Sequence, residues 1–174
     1  MNLYEWGFEV VLTQRRQRFW RMRDVDRAVL DAGPVKGFDY LVQAGPDQAW
    51  LVEIKGRSFP TSTGGLWENW VTQDDLASLL QWQQHFGACA AGLLVFAYRC
   101  TNDAVMPGRP WTPLRVDATR FGFVAVEVQR YMQAAKLRSK KWRTFSLPRA
   151  SFLKLVRPLE AFLTPCEHLS RAGA

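Results

Sequence analysis

The stretch Ala91-Gly92-Leu93-Leu94-Val95-Phe96-Ala97-Tyr98 is a nearly continuous apolar run. Side chains alternate faces along a strand, so a strand this apolar must be covered on both faces. A helical pattern precedes it. Thr72-Gln73-Asp74-Asp75 opens a helix in which Leu76, Leu79, Leu80, Gln83 and Phe86 keep helical spacing, and Gly87 ends it. Together with the elements below, the order helix, strands, helix, strand, strand, helix describes one α/β sandwich with a mixed sheet.

Two further apolar runs, Lys36–Val42 and Trp50–Arg57, read as the strands of a hairpin across the turn residues Gly45-Pro46-Asp47-Gln48. Three ionisable groups interrupt them. Asp39 shares a face with Leu41, while Glu53 and Lys55 share a face with Leu51, so an even register sets Asp39 opposite or diagonal to Glu53. Trp50, Leu51, Val52 and Ile54 make the second strand one that is covered on both faces near its middle. Charges at the end of such a strand must be paired, bound to metal or open to a cleft, because burying them alone is costly. Two carboxylates suit a hard cation such as Mg²⁺, which takes one or two protein carboxylates and keeps several waters. A solvated surface ion pair is the competing account of Glu53 and Lys55.

The remaining elements follow from pattern. Residues 3–16 read as a helix with Leu3, Phe8, Val11 and Leu12 on its apolar side and Glu5 and Glu9 on the polar one. Residues 19–22 read as a short edge strand. Asp24 reads as the cap of a short helix over 25–30, stopped at Gly33-Pro34. Residues 57–69, rich in Gly, Ser and Thr, read as a long loop of the kind that carries function or moves. Residues 101–120 read as irregular, 121–126 as a strand, 129–136 as helical, and Pro148 as the first turn of a final helix that reaches Val156. No internal repeat is present. A chain of 174 residues suits one domain, with a core over 1–100 and a C-terminal extension over 101–174 that carries a basic segment and the final helix.

Composition narrows the function classes. Lys and Arg number 23 against 16 Asp and Glu, a formal charge of +7, which favours a polyanionic partner, nucleic acid ahead of an anionic membrane surface. No apolar stretch reaches the roughly 20 residues of a membrane span, and the N-terminus lacks the pattern of a secretory signal. Cys89, Cys100 and Cys166 are an odd number without a C-x-x-C pair, so disulfide scaffolds and structural zinc are disfavoured and a reducing cytoplasm fits. With only His85 and His168 present, histidine-based catalysis has little to draw on.

Phe38-Asp39, the turn, and Val52-Glu53-Ile54-Lys55 resemble the D…(D/E)-x-K core of the PD-(D/E)-x-K nuclease superfamily, with Phe38 in place of the usual Pro. The order of helix, motif hairpin, helix and apolar strand over residues 1–100 is similar too. The resemblance implies a restriction-endonuclease-like α/β/α sandwich with a central mixed sheet flanked by helices. It further implies Mg²⁺-dependent hydrolysis of DNA phosphodiesters, with Mn²⁺ as a substitute. Asp39 and Glu53 would hold the metal, and Lys55 would position the nucleophile or stabilise charge. In resolvase-like members a Glu of the first helix joins the site, which singles out Glu5, with Glu9 one turn later as the fallback. Both also suit a helix start, where acids complement the dipole. Gln73 and Asp75 stand where relatives carry a supporting polar residue at the next helix start, although Thr72 and Asp75 also read as a capping box. Many relatives pair to cut both strands, so the resemblance implies a homodimer as one arrangement.

Several basic residues are placed to meet a phosphate backbone. Arg57 lies one residue beyond Lys55-Gly56, and Arg138, Lys140, Lys141 and Arg143 surround Trp142. The competing accounts are a solvated surface arginine and a solubilising charge run. Of eight tryptophans, Trp67, Trp70 and Trp142 fall near these stretches. Two other functions fit the sequence: a catalytically inactive nucleic-acid-binding module on the same fold, and a protein-interaction domain that uses the aromatic surplus.

Overall fold

A computed structural model describes residues 2–22, 28–30, 33–59, 67–100, 111–116 and 118–163. In chain order the helices are α1 (Leu3–Gln14), α2 (Gln73–Phe86), α3 (Val128–Ala134) and α4 (Arg149–Leu155). The strands are β1 (Phe19–Arg21), β2 (Ala28–Leu30), β3 (Gly33–Val35), β4 (Tyr40–Gln43), β5 (Ala49–Ser58), β6 (Val71–Thr72), β7 (Ala90–Cys100), β8 (Thr112–Val116), β9 (Thr119–Glu127), β10 (Lys136–Ser139), β11 (Thr144–Ser146) and β12 (Arg157–Pro158).

One mixed sheet dominates, in the order β1-β4-β5-β7-β9-β12, with β8 also paired to β9. Among the described residues its only parallel pair is β5 with β7, joined through α2, and the other pairs are antiparallel. The apolar run behaves as its composition requires. Leu94, Phe96 and Tyr98 face a core formed with Leu76 and Leu79 of α2, Val128 and Tyr131 of α3 and Phe152 of α4. Leu93, Val95 and Ala97 face the opposite core, formed with Phe8, Val11 and Leu12 of α1. The sandwich expected from sequence is present, with α1 on one face of the sheet and α2, α3 and α4 on the other.

Three expectations need correction or extension. Residues 28–30 are not helical, because they pair antiparallel with Gly33–Val35. Gly33 at φ +111°, a conformation open to glycine at little cost, reverses the chain there. The proposed cap Asp24 lies outside the described residues. Residues 112–116 are not irregular, since they form β8 against β9. Pro113 is tolerated in β8 because it sits exposed on an outer strand, where a missing N–H breaks no central ladder. Strand β9 lies inside the main sheet beside β7, so that sheet draws on residues well beyond 100. A second small sheet, β10-β11-β6, ties the basic segment to the start of α2. Residues 60–66 of the long loop, and 101–110, lie outside the described residues.

Candidate functional site

The hairpin register is the even one. Tyr40 pairs with Val52 and Leu41 with Leu51, and the Asp39 amide donates to the Val52 carbonyl at 2.9 Å. Continuing that register sets Asp39 opposite Glu53. The Asp39 carboxylate then turns onto the neighbouring strand, where its Oδ2 accepts from the Ile54 amide at 2.6 Å. Leu51 belongs to the core beneath α2, so Glu53 and Lys55, two and four residues on, face the start of that helix.

The helix start carries Asp75. Thr72 caps α2 by accepting from the Asp75 amide at 3.1 Å, and the Asp75 carboxylate accepts from the Thr72 amide at 3.3 Å. The same carboxylate reaches the hairpin, with its Oδ2 2.6 Å from Lys55 Nζ. Lys55 Nζ also lies 2.7 Å from Glu53 Oε1, and Glu53 is only 4% exposed. Capping and site formation are therefore both performed by Asp75.

Lys36, which sequence reasoning missed as a site residue, completes the cluster. Its Nζ lies 2.8 Å from Glu53 Oε1 and also pairs with Asp75 Oδ1. Helix α2 holds its backbone in place: the Lys36 amide donates to Ser78 Oγ at 3.2 Å, and Trp82 Nε1 donates to the Lys36 carbonyl at 2.8 Å. Asp75, Ser78 and Trp82 fall at i, i+3 and i+7, one stripe of the helix. That stripe of hydrogen-bonding groups on a helix face turned toward the sheet was the sequence signal that a polar segment docks there.

Three carboxylates thus meet two ammoniums, and their charge states diverge. Burial alone would raise the Asp75 carboxyl, but the Lys55 and Lys36 ammoniums outweigh it and hold the group well below the usual carboxylate range. Burial would likewise lower Lys36, yet Glu53 and Asp75 together hold it above its ordinary value. Among the described residues Asp39 has no ion-pair partner. Burial and then the Glu53 charge push its carboxyl up to about 7, against the opposing pull of the Ile54 amide and the two lysines. Asp39 is the carboxylate for which the cluster holds no matching cation.

The donor chemistry fits a hard divalent ion: two carboxylates, Asp39 and Glu53, held on adjacent strands with a deficit of positive charge at one of them. Glu5 and Glu9 are placed differently. Both lie on α1, on the other face of the sheet. Glu5 takes part in a capping box with Asn2 and pairs with Arg21 at 3.0 Å, and Glu9 accepts from the Tyr40 hydroxyl at 2.8 Å. Among the described residues neither is hydrogen-bonded or ion-paired to Asp39 or Glu53, and no three His, Cys, Asp or Glu side chains gather as a metal-ligand cluster.

The basic residues fall into two groups. Arg57 donates to the Gly56 and Trp70 carbonyls and stacks over the Trp70 ring, 4.1 Å from its centroid. Arg138 approaches the same ring at 5.5 Å. Lys140, Lys141 and Arg143 are exposed in the turn between β10 and β11. This turn docks on α2: the Gln73 amide donates to the Arg143 carbonyl at 2.8 Å, and Arg143 Nε donates to Gln73 Oε1 at 3.2 Å. Gln73 thereby links the basic turn to the helix start that bears Asp75. Among the described residues no helix is long and apolar enough to cross a membrane.

No family model and no curated protein matches the sequence. Among solved structures the chain is similar to Hjc of Archaeoglobus fulgidus, a Holliday junction resolvase from an archaeal hyperthermophile. The TM-score is 0.52 at 12% identity, and the match covers 88% of this chain and 92% of that one.

Proposed function

We propose, from the premise that this chain has the PD-(D/E)-x-K restriction-endonuclease-like fold, that it is a metal-dependent nuclease acting on DNA phosphodiesters. The observation that carries this reading is the charge cluster at the start of β4 and the middle of β5. Asp39 stands opposite Glu53, and Lys55 sits on Glu53, at the edge of a core that gains nothing from burying them. Asp39 and Glu53 would hold Mg²⁺ or Mn²⁺, which when bound supplies an activated water and charge neutralisation at the phosphate. Lys55, fixed between Glu53 and Asp75, presents an ammonium to the charge that develops on the phosphate oxygens. Lys36 and Asp75 hold that ammonium in position.

A second reading is a nucleic-acid-binding module without catalysis. It is favoured by the two lysines that already neutralise Glu53 and Asp75. One experiment separates the two. Plasmid, branched and single-stranded DNA are incubated with wild type and with Lys55→Ala, in Mg²⁺ and in Mn²⁺. Wild type is expected to cleave at least one substrate, and Lys55→Ala to lose about 10²- to 10³-fold of that rate. Equal behaviour of the two proteins on every substrate sinks the nuclease reading, and salt-sensitive binding without cleavage selects the second.

A further inference from the structure

Beside the charge cluster, on the same side of the sheet, lies a cavity of about 200 Å³. Trp67, Glu68, Trp70, Arg138, Ser146 and Arg149 are among the residues that line it. Its walls come from segments far apart in sequence that are stapled together. Buried Asn69 accepts from the Leu147 amide at 2.7 Å and donates to the Leu147 carbonyl at 3.1 Å. The buried Tyr131 hydroxyl contacts the Asn69 and Phe145 carbonyls at 2.6 and 3.1 Å. Trp67 is wedged edge-on against Phe59 and Tyr98. Trp70 is held by Arg57, whose guanidinium is engaged by two backbone carbonyls. The cavity is therefore preformed.

We infer that this cavity accepts one unpaired nucleotide of a DNA strand, its base taking the place of Arg138 against the Trp70 ring and its phosphate meeting Arg138 and Arg149. This inference rests on the nuclease reading for the presence of DNA but not for any chemistry. The size is below the roughly 300–1,000 Å³ of sites for drug-sized ligands and suits a single flat ring system. Indole faces bind bases of any sequence by stacking, and arginines supply both phosphate contacts and cation–π support. Glu68 on the rim disfavours a bare inorganic anion and offers an acceptor to an exocyclic amino group. Arg57, which engages phosphates in the sequence-based expectation, is here a positioning residue that fixes the indole. The cavity is also within reach of the cluster. Arg57 lies two residues past Lys55 on one strand face, about 7 Å away, and Trp70 is separated from the cap of α2 by one residue. A strand at about 3.4 Å per nucleotide spans that gap in roughly two steps.

The test is binding measured in EDTA by fluorescence anisotropy, with three probes: a paired duplex, the same duplex with one unpaired nucleotide, and that duplex with an abasic site at the unpaired position. Wild type is expected to bind the second at least about fivefold tighter than the first, and the abasic probe to lose that preference. Trp70→Leu should abolish the preference while keeping duplex affinity. Exposed Arg149→Gln, a variant that leaves the core intact, should weaken the unpaired probe alone. Equal wild-type affinity for the first two probes, or a preference that survives Trp70→Leu, overturns the inference. Cleavage in Mg²⁺ is scored on the same preparations. A preference without cleavage leaves the cavity and removes the nuclease, cleavage without a preference does the reverse, and absence of all DNA binding removes both.

Discussion

At the scale of single residues, Asp39 carries the sharpest expectation. Its folded-state carboxyl titrates at about 7, against about 3.9 for an unfolded Asp. Between those values the folded state holds more protons than the unfolded state, so stability falls as pH rises from about 4 to about 7 and is level above. Asp75 acts in a separate window: its carboxyl is depressed when folded, so its contribution is present above about 4 and lost as pH falls below that. Urea unfolding at pH 5 and pH 8 brackets the Asp39 window, and the comparison with Asp39→Asn separates it from other groups that titrate there. The wild-type midpoint should drop toward pH 8, with about 2 kcal/mol of stability lost, and Asp39→Asn should remove most of that drop. A pH profile unchanged by Asp39→Asn would show that the carboxyl is not the cluster's uncompensated charge. The sequence made Asp39, Glu53 and Lys55 legible because period-two alternation fixes which side chains share a face. Lys36 was not itself legible: the Asp75, Ser78 and Trp82 stripe signals that a polar segment docks on α2 but does not say which one, and Ser78 and Trp82 hold the lysine by its backbone. Glu5 was placed in the site by resemblance. The capping account, from the chemistry of a helix start, describes its contacts with Asn2.

At the scale of elements, the packing of α2 and α3 on β7 turns on Gly92. A Cβ added there would lie 2.7 Å from Val128 Cγ1 and 2.9 Å from Leu79 Cγ, both on buried residues between the helices and the sheet. Overpacking of this kind costs about 1–3 kcal/mol. Gly92→Ala is therefore expected to lower Tm by about 3–10 °C in a thermal melt, and an unchanged Tm would show that the helices can retreat from the strand. Element by element, legibility followed signal strength. Helix α2 was readable to its first residue because Thr72, Asp75 and Gly87 mark its ends. The β2–β3 hairpin was misread because a short apolar window fits a helix turn as well as a strand. Strand β8 was hidden by Pro113, and strands of two to four residues such as β6, β10 and β11 carry too little periodicity to reveal a partner. The stapled cavity was invisible for the same reason: it depends on Asn69 meeting Leu147, a contact that no local pattern announces.

At the scale of the whole molecule, the net charge of +7 gains direction from the small sheet that carries Lys140, Lys141 and Arg143 to the start of α2. Neutralising a phosphate releases a counterion, so affinity for a duplex should fall with salt, with a log–log slope of about −0.9 per contact. Replacing these three residues together by Gln is expected to make that slope shallower by about 2–3, as measured by anisotropy across a salt series. A slope that does not change would place the polyanion elsewhere on the protein.

The β10-β11-β6 sheet also sets the order in which the molecule can become itself. The strand that leads into α2 is closed by residues 144–145, and the basic turn that docks on Gln73 precedes them by only a few residues. During synthesis the hairpin with Asp39, Glu53 and Lys55 leaves the ribosome long before those partners do. The chain therefore presents Asp39, Glu53 and Lys55 first and the basic turn last, and a fragment that ends near residue 100 lacks β9, α3 and α4 as well as the strand that closes β6.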